Sequence, residues 1–122
     1  MSHLQCPKCY GILETVIYAD IEVDRCTKCQ GIWFDAQEAH RLRKIQGSES
    51  IDTGDRKLGT QFNKIRKVTC PKCQIEMTKM ASLKRPYIRY EKCLNCYGLW
   101  FDSGEFKDYK EEGILEILID IF

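Results

Sequence analysis

From Ile12 to Tyr18 the chain is rich in β-branched and aromatic residues, and after Ala19-Asp20 the residues Ile21, Val23 and Arg25 alternate with Glu22 and Asp24. A period of two marks half-buried strands, and Ala19-Asp20 between them predicts a hairpin turn. The pattern returns as Ile75 to Leu83, then Lys84-Arg85-Pro86, then Tyr87 to Lys92. The returning strands keep one phase: Ile21 stands with Ile88, Val23 with Tyr90 and Arg25 with Lys92. After each hairpin the period becomes helical. Ala39, Leu42 and Ile45 share one face with Gly47 as a stop, and Phe106 and Tyr109 stand where Ala39 and Leu42 do. Asp35 with Glu38, and Asp102 with Glu105, have capping-box spacing, so each helix is expected to start at an Asp cap.

Three segments fall outside this repeat. Residues 47–55, Gly47-Ser48-Glu49-Ser50-Ile51-Asp52-Thr53-Gly54-Asp55, read as a flexible linker. Leu58, Phe62 and Ile65 then recur at i, i+4 and i+7 among basic residues, which predicts a short amphipathic helix weakened by Gly59. Its apolar side is expected to pack on a ribbon or to order on a partner. In the tail, residues 114–122, seven of nine residues are large and apolar. Read as a helix, it has one narrow polar stripe of Glu116 and Asp120 and must be buried. It either packs across its own chain or pairs with a second copy as a homodimer.

The periodicity does not reveal the chemistry, but the cysteines do. All eight fall into two copies of one pattern. Cys6-Pro7-Lys8-Cys9 and Cys26-Thr27-Lys28-Cys29 bracket the first hairpin, and Cys70-Pro71-Lys72-Cys73 and Cys93-Leu94-Asn95-Cys96 bracket the second. Gaps of 16 and 19 residues separate the pairs, a spacing typical of four-cysteine zinc sites. Two residues between thiolates let one tight turn present both sulfurs to an ion, and two such turns complete a tetrahedron with Zn–S near ~2.3 Å. Cys6, Cys9, Cys26, Cys29, Cys70, Cys73, Cys93 and Cys96 are therefore the expected ligands of two Zn2+ ions. Tetrahedral sulfur also suits mononuclear iron, and a C-x2-C pair also serves thiol redox chemistry. The second copy has three extra residues between its pairs, most simply in a longer hairpin loop. Gly31 and Gly98 follow the second knuckles, where a sharp turn is expected. Lys8, Lys28 and Lys72 occupy the third position of three knuckles, either exposed to solvent or offsetting thiolate charge.

Composition narrows the remaining classes. The chain has 122 residues with a formal net charge of +1. Units this small need a metal, a disulfide or a partner to hold a core. No apolar run reaches the ~20 residues of a membrane span. The start, Met1-Ser2-His3-Leu4-Gln5, lacks the basic and apolar regions of a secretory signal. A cytoplasmic location with reduced, metal-binding cysteines is expected. Charge is unevenly spread: −3 over residues 1–55, +9 over 56–92 and −5 over 93–122. That basic block makes Lys84, Arg85 and Arg89 the candidate nucleic-acid contacts. Trp33, Phe34, Trp100 and Phe101 suit a ribbon core and, alternatively, base stacking. His3 and His40 have no matching His in the other copy, and nothing supplies a phosphate loop or a catalytic triad.

Each copy continues from the second knuckle into Gly, an apolar residue, Trp, Phe and Asp, with Glu three residues on: Gly31-Ile32-Trp33-Phe34-Asp35 with Glu38, and Gly98-Leu99-Trp100-Phe101-Asp102 with Glu105. This pattern resembles the transcription-factor-IIB-type zinc-finger family of small prokaryotic proteins, over residues 6–46 and 70–112. The first copy departs at Ala36-Gln37, where the family often has Gly. Gln30 and Tyr97 stand where a second Gly is common. The resemblance implies zinc-ribbon folds and the eight cysteines as ligands. The expected architecture is a small metal-stabilised α+β fold of two zinc ribbons, each a β-hairpin with two cysteine knuckles followed by a capped α-helix. The expected organisation is ribbon 1 with its helix (1–46), a linker with the basic amphipathic segment (47–69), ribbon 2 with its helix (70–113) and the apolar tail (114–122), expected to be helical. The expected function is non-catalytic: a protein-docking module associated with transcription, a nucleic-acid binder through residues 56–92, or a zinc-thiolate redox switch.

Overall fold

The computed structural model describes residues 4–65, 67–82, 88–112 and 116–118. Strands β1 (Leu13–Tyr18) and β2 (Ile21–Cys26) form the first hairpin. Ala19 and Asp20, with φ of 51° and 65°, make its two-residue turn. Two consecutive left-handed residues match the right-handed twist of a hairpin. After the second knuckle comes β3 (Ile32–Phe34), then helix α1 (Glu38–Leu42), a 3-10 turn at Ser48–Ile51 and helix α2 (Arg56–Asn63). The second copy supplies β4 (Thr78–Ser82), β5 (Arg89–Lys92), β6 (Leu99–Phe101) and α3 (Glu105–Glu112), and the tail supplies β7 (Glu116–Leu118). The extra residues of the second hairpin fall between Ala81 and Arg89, which are register partners as Ile17 and Glu22 are in the first.

Both ribbons belong to one antiparallel sheet, in the order β1-β2-β3-β6-β5-β4-β7. The join is β3 on β6, with Ile32 opposite Phe101, Trp33 opposite Trp100 and Phe34 opposite Leu99. The third strand of each ribbon is only three residues long, too short to show a period in sequence. A hydrophobic core shared by both copies lies against the sheet. Ile21, Val23, Phe34, Ala39 and Leu42 from the first copy meet Ile88, Tyr90, Phe101, Phe106 and Tyr109 from the second. Phe34 stacks edge-on against Phe101, with ring centroids 5.5 Å apart, and Tyr90 lies on Phe101 at 4.9 Å. The expected phase match of the returning strands is thus a match of buried faces.

Residues 47–55 differ from the flexible linker expected. Ser48, Ile51 and Asp52 are buried. The Asp52 carboxylate accepts bonds from the N–H groups of Gly104 (2.9 Å) and Lys107 (3.2 Å). These are free donors at the start of α3, so Asp52 caps that helix from a distance in sequence. The local capping expectation for Asp102 fails accordingly, and that for Asp35 fails too. Helix α1 starts after Gln37, which has φ of 70° and no side-chain cap. Only the reverse half of the box forms there, with Asp35 N–H donating to Glu38 Oε1 at 2.7 Å.

The expected amphipathic helix is present as α2. Asp55 caps it by accepting from Leu58 N–H at 2.8 Å. Phe62 and Ile65 pack on the cluster that contains Trp33 and Trp100. Gly59 is a point of contact rather than a weakness, since a Cβ there would lie 1.9 Å from the Ser103 carbonyl oxygen. The tail differs from the expected helix where it is described. Residues 116–118 are extended, with Leu118 opposite Met80 and Ile117 opposite Ala81. The outer edge of β4 offers backbone donors and acceptors that an extended apolar segment satisfies. The expectation for 114, 115 and 119–122 lies outside the described residues.

Candidate metal centres

Each knuckle is built by backbone geometry before any metal is considered. Tyr10, Gln30, Gln74 and Tyr97 all have φ between 61° and 64°. Each lies one residue past the last cysteine of its knuckle and closes the turn by donating its N–H to the carbonyl of the knuckle's first cysteine. Examples are Tyr10 to Cys6 at 3.1 Å and Tyr97 to Cys93 at 2.7 Å. The sharp turn expected at Gly31 and Gly98 is therefore made one residue earlier, by Gln30 and Tyr97. The two glycines serve a different need. A Cβ on Gly31 would lie 2.2 Å from Trp100 Cζ2, and one on Gly98 would lie 2.2 Å from Trp33 Cζ2. Each ribbon's Trp occupies the space left by the other ribbon's Gly.

The turns aim sulfurs at common points. Cys6, Cys9, Cys26 and Cys29 form one group and Cys70, Cys73, Cys93 and Cys96 another, with all Sγ atoms of a group within 4.8 Å of one another. The Cys6–Cys29, Cys9–Cys26 and Cys70–Cys96 sulfurs are 3.7, 3.4 and 3.8 Å apart. A tetrahedron with Zn–S near ~2.3 Å has edges of about 3.8 Å, so the donor sets fit the ion. Backbone N–H groups support the thiolates: Lys8 and Cys9 donate to Cys6 Sγ at 3.3 and 3.4 Å, and Lys28 donates to Cys26 Sγ at 3.3 Å. Asn95 Nδ2 donates to Cys73 Sγ at 3.2 Å.

The thiols are strongly unequal. The bond with Cys26 pushes Cys6 up to about 12, and burial pushes Cys70 up to about 12. Cys26 is pulled well down by bonds from Cys29 and Cys6. At Cys93 burial acts upward, but the bonds from Cys96 and Asn95 prevail and bring it to about 7. A divalent ion supplies the charge that lets four neighbouring thiols ionise together, with release of protons. The two four-cysteine groups are positioned to bind two zinc ions, and four thiolate ligands leave a tetrahedral ion no open position.

The chain matches the transcription factor zinc-finger description over residues 5–44 and 69–112. The chain belongs to the transcription factor zinc-finger family. No curated protein and no solved structure matches it.

In this zinc-finger protein the two centres are neighbours. A cleft of about 100 Å³ lies between the first knuckles, with Cys6, Pro7 and Tyr10 on one side and Cys70, Pro71 and Gln74 on the other. The knuckle lysines do not share one fate. The Lys8 side chain is fully buried, and its Nζ donates to Asp102 Oδ2 (2.9 Å), Glu91 Oε2 (3.2 Å) and the Phe62 carbonyl (2.9 Å). Desolvation opposes its charge, but the attraction of Glu91 and Asp102 prevails and raises its pKa. Lys72 makes the mirror pairing with Asp35 at a half-exposed position. Asp35 and Asp102 also accept the indole N–H of Trp33 (3.1 Å) and Trp100 (3.0 Å). These carboxylates therefore hold Trp and Lys across the ribbon junction and do not cap helices. Sequence contained one usable signal for this: the Trp-x-Asp spacing recurs in both copies.

Trp33, Phe34, Trp100 and Phe101 are wholly buried, which removes the base-stacking alternative for them. Of the candidate nucleic-acid contacts, Lys84 and Arg85 lie outside the described residues. Arg89 is exposed on β5, and its N–H donates to Glu105 Oε2 at 2.9 Å. Among the described residues no helix is long and apolar enough to cross a membrane.

Proposed function

We propose that this zinc-finger protein is a non-catalytic module that docks on a protein partner, in association with transcription. The observation that carries the reading is where the basic and aromatic side chains have gone. The four ribbon aromatics are inside the core. Within the basic block, Lys79 donates to the Ile65 carbonyl at 2.7 Å and pairs with Glu91, Arg56 pairs with Asp108, and Lys72 pairs with Asp35. Part of the charge of this block is thus paired within the fold, while Lys57, Lys64, Lys67 and Arg89 stay exposed. Around the knuckles large apolar side chains also face solvent, Tyr10 and Ile12 by the first site and Ile75, Leu94 and Tyr97 by the second, beside exposed Thr27, Lys28, Gln74 and Asn95. Exposed aromatic and aliphatic side chains held on rigid turns suit a protein surface. Each metal is closed by four thiolates, so the zinc serves structure in this reading.

The test is a titration of zinc-loaded protein with single- and double-stranded DNA and RNA at low salt, beside nuclease-treated pull-downs with wild type and with Tyr10→Ser/Tyr97→Ser. The docking reading expects no salt-dependent nucleic-acid binding and a partner lost with the double variant. Binding that falls steeply with salt, and weakens on changing Lys84, Arg85 and Arg89 to Ser, assigns the function to nucleic acid instead.

A further inference from the structure

The cleft between the first knuckles is bordered by two short extended segments. Gln5 stands opposite Ile12, and Thr69 opposite Glu76, as isolated antiparallel bridges. The bonds of each bridge are made by the flanking residues. In the first, Cys6 N–H donates to the Gly11 carbonyl (2.8 Å) and Leu13 N–H to the Leu4 carbonyl (3.0 Å). In the second, Cys70 N–H donates to the Ile75 carbonyl (2.8 Å) and Met77 N–H to the Val68 carbonyl (2.7 Å). Gln5 and Thr69 are therefore the non-bonded members of their ladders, and their own N–H and C=O point away from Ile12 and Glu76. Both line the cleft, and Ile12 and Glu76 do not. The outward edges of the two segments thus face one space. Among the described residues neither Gln5 nor Thr69 has a backbone partner.

We propose that this cleft takes an extended, acidic segment of a partner polypeptide, whose main chain pairs with Gln5 on one wall and Thr69 on the other. The proposal rests on the protein-docking reading above and gives it a surface and a mode. Each wall offers one N–H and one C=O side by side. An extended chain matches both, as in strand addition to a sheet edge, whereas a phosphate only accepts. Consecutive residues of a strand turn their backbone groups to opposite sides, so two neighbouring residues of the segment serve the two walls. The cleft volume of about 100 Å³ is on the scale of the ~150 Å³ cavity that holds benzene, enough for a short run of main chain. Pro7 and Pro71 border it without N–H groups of their own, so they add apolar surface and no competing donor. Exposed Tyr10 adds an aromatic face. Charge selects the side chains of the segment. Lys67 is exposed at the cleft, and no carboxylate lines it among the described residues. Cys6 and Cys70 also border it, but they are buried, and their sulfurs accept N–H groups of their own knuckles.

The probe is a set of random peptides displayed on phage and panned on the zinc-loaded full chain. Those selected are then made as free peptides, plain and with alternate amides N-methylated, and read by affinity and by amide hydrogen exchange. In the free chain Gln5 and Thr69 should exchange fast while Cys6, Leu13, Cys70 and Met77 are protected. The selected peptides should carry Asp or Glu and slow Gln5 and Thr69 exchange about tenfold. N-methylation should cost about tenfold in affinity. Gln5→Pro and Thr69→Pro each remove one outward N–H without touching a ladder bond, and should weaken binding about tenfold with both zinc ions retained. Lys67→Glu should weaken it about fivefold. If a proline variant loses zinc, the N-methylated peptides and Lys67→Glu decide. Slow exchange of Gln5 and Thr69 in the free chain shows the walls already covered and overturns the proposal. So do N-methylated peptides that bind as well as plain ones, selected peptides that are basic, or panning that yields no binder. Protection that appears only as the chain is concentrated, with no peptide added, gives the cleft to a second copy and overturns the partner assignment. A pull-down partner that survives both proline variants but is lost with Tyr10→Ser/Tyr97→Ser overturns the cleft and leaves protein docking standing. Salt-dependent binding of nucleic acid in place of any peptide overturns both.

Discussion

Lys8 and Lys72 occupy the same position in two copies of the tetrapeptide Cys-Pro-Lys-Cys, and each reaches across to the other ribbon's Asp. Their surroundings nevertheless differ almost completely. The Lys8 and Asp102 side chains are 0% and 1% exposed, whereas Lys72 and Asp35 are 41% and 43% exposed. The difference comes from α2. It lies over the Lys8 side, offers the Phe62 carbonyl to the ammonium and brings Gly59 onto Ser103. One amphipathic segment, present once in the chain, thus turns one of two equivalent surface ion pairs into a buried network with Glu91 and Lys79. Duplicated motifs set which groups meet, and the unduplicated segment between them sets what each meeting is worth.

The largest expected effect tests whether the ribbons respond as one body. Zinc binding to sites of this kind is worth ~10–16 kcal/mol in apparent terms. Chelation should abolish native NMR dispersion throughout. Cys26→Ser should also perturb amides of β6 and α3, because β3–β6 pairing and the reciprocal Trp–Gly contacts tie the copies together. Native shifts retained over the whole second ribbon in that variant would show the shared sheet to be only loosely coupled.

Next in size is the lysine contrast itself. Lys8→Met leaves Glu91 and Asp102 buried with one cation fewer and should cost ~3–5 kcal/mol, as expected when one partner of a buried pair is removed. Lys72→Met breaks an ion pair in contact with water and should cost ~0–1 kcal/mol. Urea titration of the zinc-loaded variants measures both. Equal costs would mean that α2 does not shield the Lys8 network in solution.

A smaller effect probes where the copies should still agree. Gly31→Ala and Gly98→Ala each drive a methyl into the opposite indole, at 2.2 Å in both cases. Each should cost ~1–3 kcal/mol by overpacking, read as a thermal shift. A clear inequality between them would break the symmetry of the Trp contacts as well as that of the lysines.

The ligands and hairpins are legible in the sequence because a tight turn and a period of two are local constraints, each written in consecutive residues. Ile21 with Ile88, and Val23 with Tyr90, are all buried as their phase indicates. Asp35 and Asp102 mislead because a carboxylate ahead of a helix has one obvious local use, and only the fold shows that indole and ammonium donors take it instead. Asp52 reads as linker because its partners, Gly104 and Lys107, lie 52 and 55 positions away. The tail looks helical because seven apolar residues in nine fit a buried helix as well as a buried strand. The open edge of β4 selects the strand at 116–118.

Two four-cysteine zinc ribbons, their hairpins, the identity of every ligand and an apolar segment that must be covered are all written in the order of the residues. It took the folded chain to show that both ribbons share one sheet through β3 and β6, that each Trp rests on the other copy's Gly, and that one knuckle lysine is buried while its twin meets water. The physical reason is range. Metal ligation and strand alternation depend on spacing within a few residues. Desolvation depends on which distant surface arrives to exclude water, and nothing in Cys-Pro-Lys-Cys distinguishes the copy that α2 will cover.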